Sequence, residues 1–76
     1  MVKRAIEIVK DYTRERFGID YDFKVYIVWQ VKALQNWKFL ISTNLNDGMY
    51  YELTYNGHRE EWYLDAYKKV ENRVIY

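Results

Sequence analysis

Residues 49–64 read MYYELTYNGHREEWYL. Met49, Tyr51, Leu53 and Tyr55 alternate with Tyr50, Glu52, Thr54 and Asn56, the period of a strand with one buried face. Asn56-Gly57 is the dipeptide favoured in a two-residue hairpin turn, where both positions take positive φ. Closing that turn pairs Tyr55 with His58, Leu53 with Glu60, Tyr51 with Trp62 and Met49 with Leu64. Residues 62–74 also make a helical stripe (Trp62, Tyr63, Ala66, Tyr67, Val70, Val74), so a helix could instead begin just after Gly57. The pairs Tyr51/Trp62 and Met49/Leu64 favour a strand over 59–64. Asp65 then reads as the N-cap of a helix running towards Ile75.

Upstream, Asn46-Asp47-Gly48 fits a three-residue hairpin loop with glycine in the left-handed position. It would pair Thr43 with Tyr51, Ile41 with Leu53 and Phe39 with Tyr55. Both turns place the same residues of the strand they share on the apolar face. Phe23, Val25, Ile27, Trp29 and Val31 alternate in the same manner and predict a further strand. Before it, Val2, Ala5, Ile6, Val9, Tyr12 and Phe17 follow helical spacing, and Gly18 suits the left-handed residue that ends a helix. The expectation is one α+β domain over residues 1–76: a four-stranded antiparallel meander with an N-terminal and a C-terminal helix packed on one face. Trp29 and Trp62 are expected in its core.

Composition narrows the chemistry. The chain has no cysteine and one histidine, His58, which leaves neither disulfides nor thiolate or imidazole metal sites to build on. Twelve basic against eleven acidic residues give a formal charge of +1, unlike a strongly basic nucleic-acid binder or an acidic DNA mimic. Charges interrupt the first residues, and no apolar run approaches the ~20 needed to span a bilayer. A cytoplasmic protein without cofactor or metal is expected.

No phosphate-binding glycine loop, nucleophile elbow or His/Glu metal motif occurs, so no catalytic residues are assigned and the chain does not read as an enzyme. Asp20-Tyr21-Asp22 supplies two carboxylates, too few for a cation site, and reads better as a solvated turn. Lys3, Lys10 and Arg14 can contact phosphates, but spacing to Glu7 and Asp11 favours helical ion pairs. The sheet face away from the helices is more distinctive. It is expected to carry Tyr26, Val28, Leu40, Tyr50 and Tyr63, with Lys38 and Arg59 beside them. Tyrosine suits half-exposed strands in any case. Yet three tyrosines, two aliphatics and flanking cations also match the composition of a protein interface. The alternative is a surface that stacks unpaired bases, with Lys24, Lys38 and Arg59 on phosphates.

The motifs Leu34-Gln-Asn-Trp-Lys38, Asp47-Gly-Met-Tyr-Tyr-Glu52, Thr54-Tyr-Asn-Gly57 and Tyr63-Leu-Asp-Ala-Tyr-Lys-Lys69 resemble, in that order, a family of short uncharacterised proteins encoded by phages and prophages of Gram-positive bacteria. The likeness covers about Phe23 to Asn72 and brings no activity or functional residue with it. It implies a setting: a phage accessory protein in the host cytoplasm, binding a host protein or itself, for host takeover or against host defence.

Overall fold

A computed structural model describes residues 1–76. One helix, α1 (Val2–Phe17), precedes strands β1 (Val25–Ala33), β2 (Asn36–Thr43), β3 (Met49–Asn56) and β4 (Glu61–Lys68). The strands form a single antiparallel sheet in the order β1-β2-β3-β4, and α1 lies across one face. The helix stops where glycine allows it to: Gly18 sits at φ 62°, ψ 35°, and its N–H donates to the Arg14 carbonyl.

The core lies where α1 meets the two inner strands. Ala5, Val9, Phe39, Ile41, Tyr51 and Leu53 are fully buried, with Ile8, Tyr12, Trp37 and Trp62 packed around them. The buried side of α1 is Ala5-Val9-Thr13, while Val2 and Phe17 of the expected stripe stay exposed. Asp22 does not join a cation site; it pairs with Arg14 at 3.5 Å, and the same guanidinium lies over the Phe23 ring.

Both hairpin registers differ from the sequence reading by even steps, so every inward residue of β3 keeps its side. Tyr51 pairs with Ile41 in place of Thr43, a step of two. The longer β2–β3 loop is built by side chains. Thr43 accepts from Leu45 N–H (3.2 Å), Asp47 accepts from Met49 N–H (3.1 Å), and Asn44 accepts from Lys24 N–H (2.8 Å). Tyr55 pairs with Trp62 in place of His58, a step of four. Asn56-Gly57 is therefore no two-residue turn. Asn56 Oδ1 accepts from His58 and Arg59 N–H (3.0 and 3.2 Å), and Glu60, at φ 56°, supplies the left-handed residue. The tight turn is instead Leu34-Gln35, between Ala33 and Asn36, with Leu34 at φ 58°.

The C-terminal helix is absent. Residues 65–68 continue β4, with Asp65 opposite Glu52 in mid-strand, and Lys69–Tyr76 form no regular element. Eight residues of β4 pair with the eight of β3. Trp62 and Leu64 turn to the α1 face, and Tyr63, Asp65 and Tyr67 to the other. A short stretch of mixed aromatics satisfies both periods, and ladder hydrogen bonds to β3 settle it as strand.

β1 departs from its expected pattern at a bulge. Ile27 opposes Ile41, but Trp29 opposes Leu40, so Val28 is an extra residue. Beyond the bulge the faces exchange. Gln30 and Lys32 oppose Phe39 and Trp37 on the α1 side, where the Lys32 ammonium lies 5.5 Å from the Trp37 ring centre. Trp29 is thereby no core residue; it is 43% exposed on the open face.

At the α1–sheet interface two buried hydroxyls, Thr13 Oγ1 and Tyr51 Oη, lack a well-aligned hydrogen-bond partner. Burial pushes the Tyr51 phenol above 10.0, opposed in part by the Thr13 hydroxyl. Replacing both polar groups with apolar ones of similar shape removes two desolvation costs. Thr13→Val with Tyr51→Phe is therefore expected to hold or raise stability in urea titrations. A phenol whose folded pKa is raised stabilises the fold below its unfolded pKa and ceases to do so as pH climbs through the folded value. The advantage of the double variant should accordingly grow above pH 10; a constant difference across that range would refute the assignment.

Candidate binding face

Alternation sends Tyr26, Lys38, Leu40, Ser42, Tyr50, Glu52, Thr54, Glu61, Tyr63, Asp65 and Tyr67 to the side of the sheet opposite α1. The bulge adds Trp29 and Val31 to them. Of the residues expected there, Tyr26, Lys38, Leu40, Tyr50 and Tyr63 are in place. Val28 is the bulge residue and is exposed. Arg59 is not on the face; the longer β3–β4 turn carries it off the end of the sheet. Trp29 and Tyr67 were missed. A bulge between two apolar residues leaves no mark in the pattern, and Tyr67 fitted the helical stripe equally well.

These side chains converge on a groove of about 690 Å³. Trp29, Leu40, Tyr50 and Tyr67 line it with Glu52, and the chain at Lys68–Glu71 walls one side. Cross-strand pairing positions the aromatics: Trp29 opposes Leu40, and Tyr50 opposes Tyr67. Ser42, between Tyr26 and Tyr50 in the ladder, is buried and donates to the Met49 carbonyl at 2.9 Å.

Glu52 and Asp65 are directly opposed, a like-charge pair that costs stability. Lys38 Nζ lies 3.6 Å from Glu52 Oε1, while Asp65 has no ion pair. Beside them the Tyr63 hydroxyl donates to Glu61 Oε2 at 2.5 Å. That hydrogen bond to a carboxylate raises the phenol's pKa. The face is thus apolar at its centre and acidic along β3–β4. His58 is exposed in the β3–β4 turn, and no three His, Asp or Glu side chains gather closely enough to hold a metal ion. No helix is long and apolar enough to cross a membrane.

One helix over one face of a four-stranded meander, with an aromatic groove on the other, defines a small two-layer α+β domain. The chain belongs to the family of unknown function DUF6275, whose model matches residues 2–76 and so takes in α1 as well as the sheet. No curated protein and no solved structure matches it.

Proposed function

We propose that this protein is a non-enzymatic interaction module that binds a protein partner, or a second copy of itself, through the open sheet face. The observation that carries the reading is the groove: its lining joins Trp29, Leu40, Tyr50 and Tyr67 on a surface that α1 does not cover. Aromatic residues clustered at the centre of a patch, with charges at its rim, are the composition of energetically productive interfaces. The phage and prophage resemblance of the motifs between Leu34 and Lys69 supports a setting in the cytoplasm of a Gram-positive host, in host takeover or anti-defence.

Base stacking on the same aromatics is the second reading. It is favoured by Tyr26, Tyr50 and Tyr63, and weakened by Glu52, Asp65 and Glu61 around them, which repel phosphates. Arg59 is off the face, and Lys38 is already paired.

Tyr50→Ser with Tyr67→Ser tests the assignment. Tyrosines central to an interface often contribute about 2 kcal/mol or more each, so the pair should cost roughly a thousandfold in affinity. Thermal unfolding should be little changed, because Tyr67 is 53% exposed and neither ring belongs to the core. Sedimentation velocity and host-lysate pull-down, wild type against variant, give the comparison. Equal capture by both proteins would move the function elsewhere. Capture of short single-stranded oligonucleotides that weakens steeply with salt would select base stacking.

A further inference from the structure

We infer that the segment Lys69–Tyr76 of one copy of this chain seats across the open-face groove of a second copy, making an arm-exchanged homodimer. The inference rests on the binding role of that face and names its occupant.

The segment has the character of an unpaired strand. Val70, Val74, Ile75 and Tyr76 are exposed by 97%, 72%, 85% and 112%. Apart from Lys69 N–H donating to Gly48 O, none of its backbone groups bonds within the chain. Arg73 pairs with Glu71 at 3.2 Å, and side chains two apart meet in this way when the backbone is extended. Alternation then gathers Val70, Asn72, Val74 and Tyr76 on the other side, a β-favouring and mainly apolar edge. Extended, the segment reaches roughly 25 Å at about 3.3 Å per residue, enough to cross four strands spaced about 4.8 Å apart.

Charge complements this. The segment brings Lys69 and Arg73 towards a face whose Glu52–Asp65 pair has one cation, Lys38, between two carboxylates. The Arg73–Glu71 pair is largely exposed, so exchanging Glu71 for Asp65 costs little.

Geometry favours a second copy over a fold-back. Val70 and Glu71 already wall the groove of their own chain, while Val74 to Tyr76 are exposed and take no part in its lining. Returning to the floor would need a sharp reversal within residues 69–76, which contain no glycine or proline. The shape agrees. The molecule measures 40 × 37 × 16 Å with a radius of gyration of 13.5 Å, against roughly 11 Å for a compact chain of this length. A second copy across the open face supplies the missing layer.

The chain lacks cysteine, so single substitutions give unambiguous cross-links. Val74→Cys and Thr54→Cys proteins, mixed and treated with a short bis-maleimide, should yield a 74–54 product between chains. Lys3→Cys on α1, mixed with Val74→Cys, should yield none. Wild type should sediment as a dimer, and Val74→Asp with Tyr76→Asp should raise its dissociation constant at least a hundredfold while preserving the circular dichroism of the fold. Monomeric wild type, or a 74–54 product only within a doubly substituted chain, would overturn the exchange. If wild type is monomeric yet Tyr50→Ser with Tyr67→Ser loses a partner, the binding face stands and the arm's placement falls.

Discussion

Phe39→Ala is expected to cost about 3–5 kcal/mol, a large share of the stability this chain holds. A domain of this length has about 4–11 kcal/mol at 0.05–0.15 kcal/mol per residue. Phe39 is fully buried on inner strand β2, stacked at 5.7 Å on Trp37 and at 6.1 Å on Trp62. Truncation would remove the shared ring of that stack and open a cavity that the two flanking strands, β1 and β3, cannot collapse into without breaking their ladders. Urea unfolding followed by tryptophan fluorescence measures the loss; under about 1 kcal/mol would show that the core lies elsewhere. Trp29→Ala is the informative contrast. In an unbroken β1 it would cost about as much as Phe39→Ala, whereas the bulge turns Trp29 outward and should make the change mild.

Gly57→Ala is expected to cost about 3 kcal/mol or more, at the upper end for overpacking. The reason is space and not angle. A Cβ on Gly57 would stand 2.2 Å from the Gln35 carbonyl oxygen and 2.8 Å from Gln35 Cβ and Cγ. Gln35 belongs to the Leu34-Gln35 turn, and a backbone oxygen there cannot swing aside as a side-chain tip can. The two turns are also tied together by Gly57 N–H donating to Asn36 Oδ1 at 3.0 Å. Gly18→Ala is the control: it sits at φ 62° with nothing near its Cβ, so its cost is the left-handed penalty of about 1 kcal/mol. Equal losses at the two glycines, measured by thermal unfolding, would remove the close approach of the turns.

Much of this architecture is legible in the residues. Gly18 ends α1 where the helical spacing runs out, and Met49, Tyr51, Leu53 and Tyr55 identify the inward face of β3. That face survives two wrong registers because a strand's side-chain period is two, so even slips preserve it. The errors came where local signals were degenerate. Asn56-Gly57 has the chemistry of a tight turn, yet its glycine answers to a neighbouring loop, a contact invisible along the chain. The bulge at Val28 turns Trp29 outward and Gln30 and Lys32 to the α1 side, yet Trp29 and Val31 continue the alternation of Val25 and Ile27 along the chain, so the spacing alone does not reveal it. The open face is accordingly expected from Tyr26, Val28, Leu40, Tyr50 and Tyr63 with Lys38 and Arg59, whereas Trp29 and Tyr67 join its groove only in three dimensions.

The strand order has a kinetic meaning as well. Because β1, β2, β3 and β4 follow one another in the sheet as in the chain, every pairing of neighbouring strands closes only a short loop. Topologies of such low contact order reach the native state quickly for a β-rich protein, since little chain entropy is spent ahead of the contacts that repay it. β4 follows the other three strands in the chain and pairs with β3, an inner strand whose other edge is held by β2.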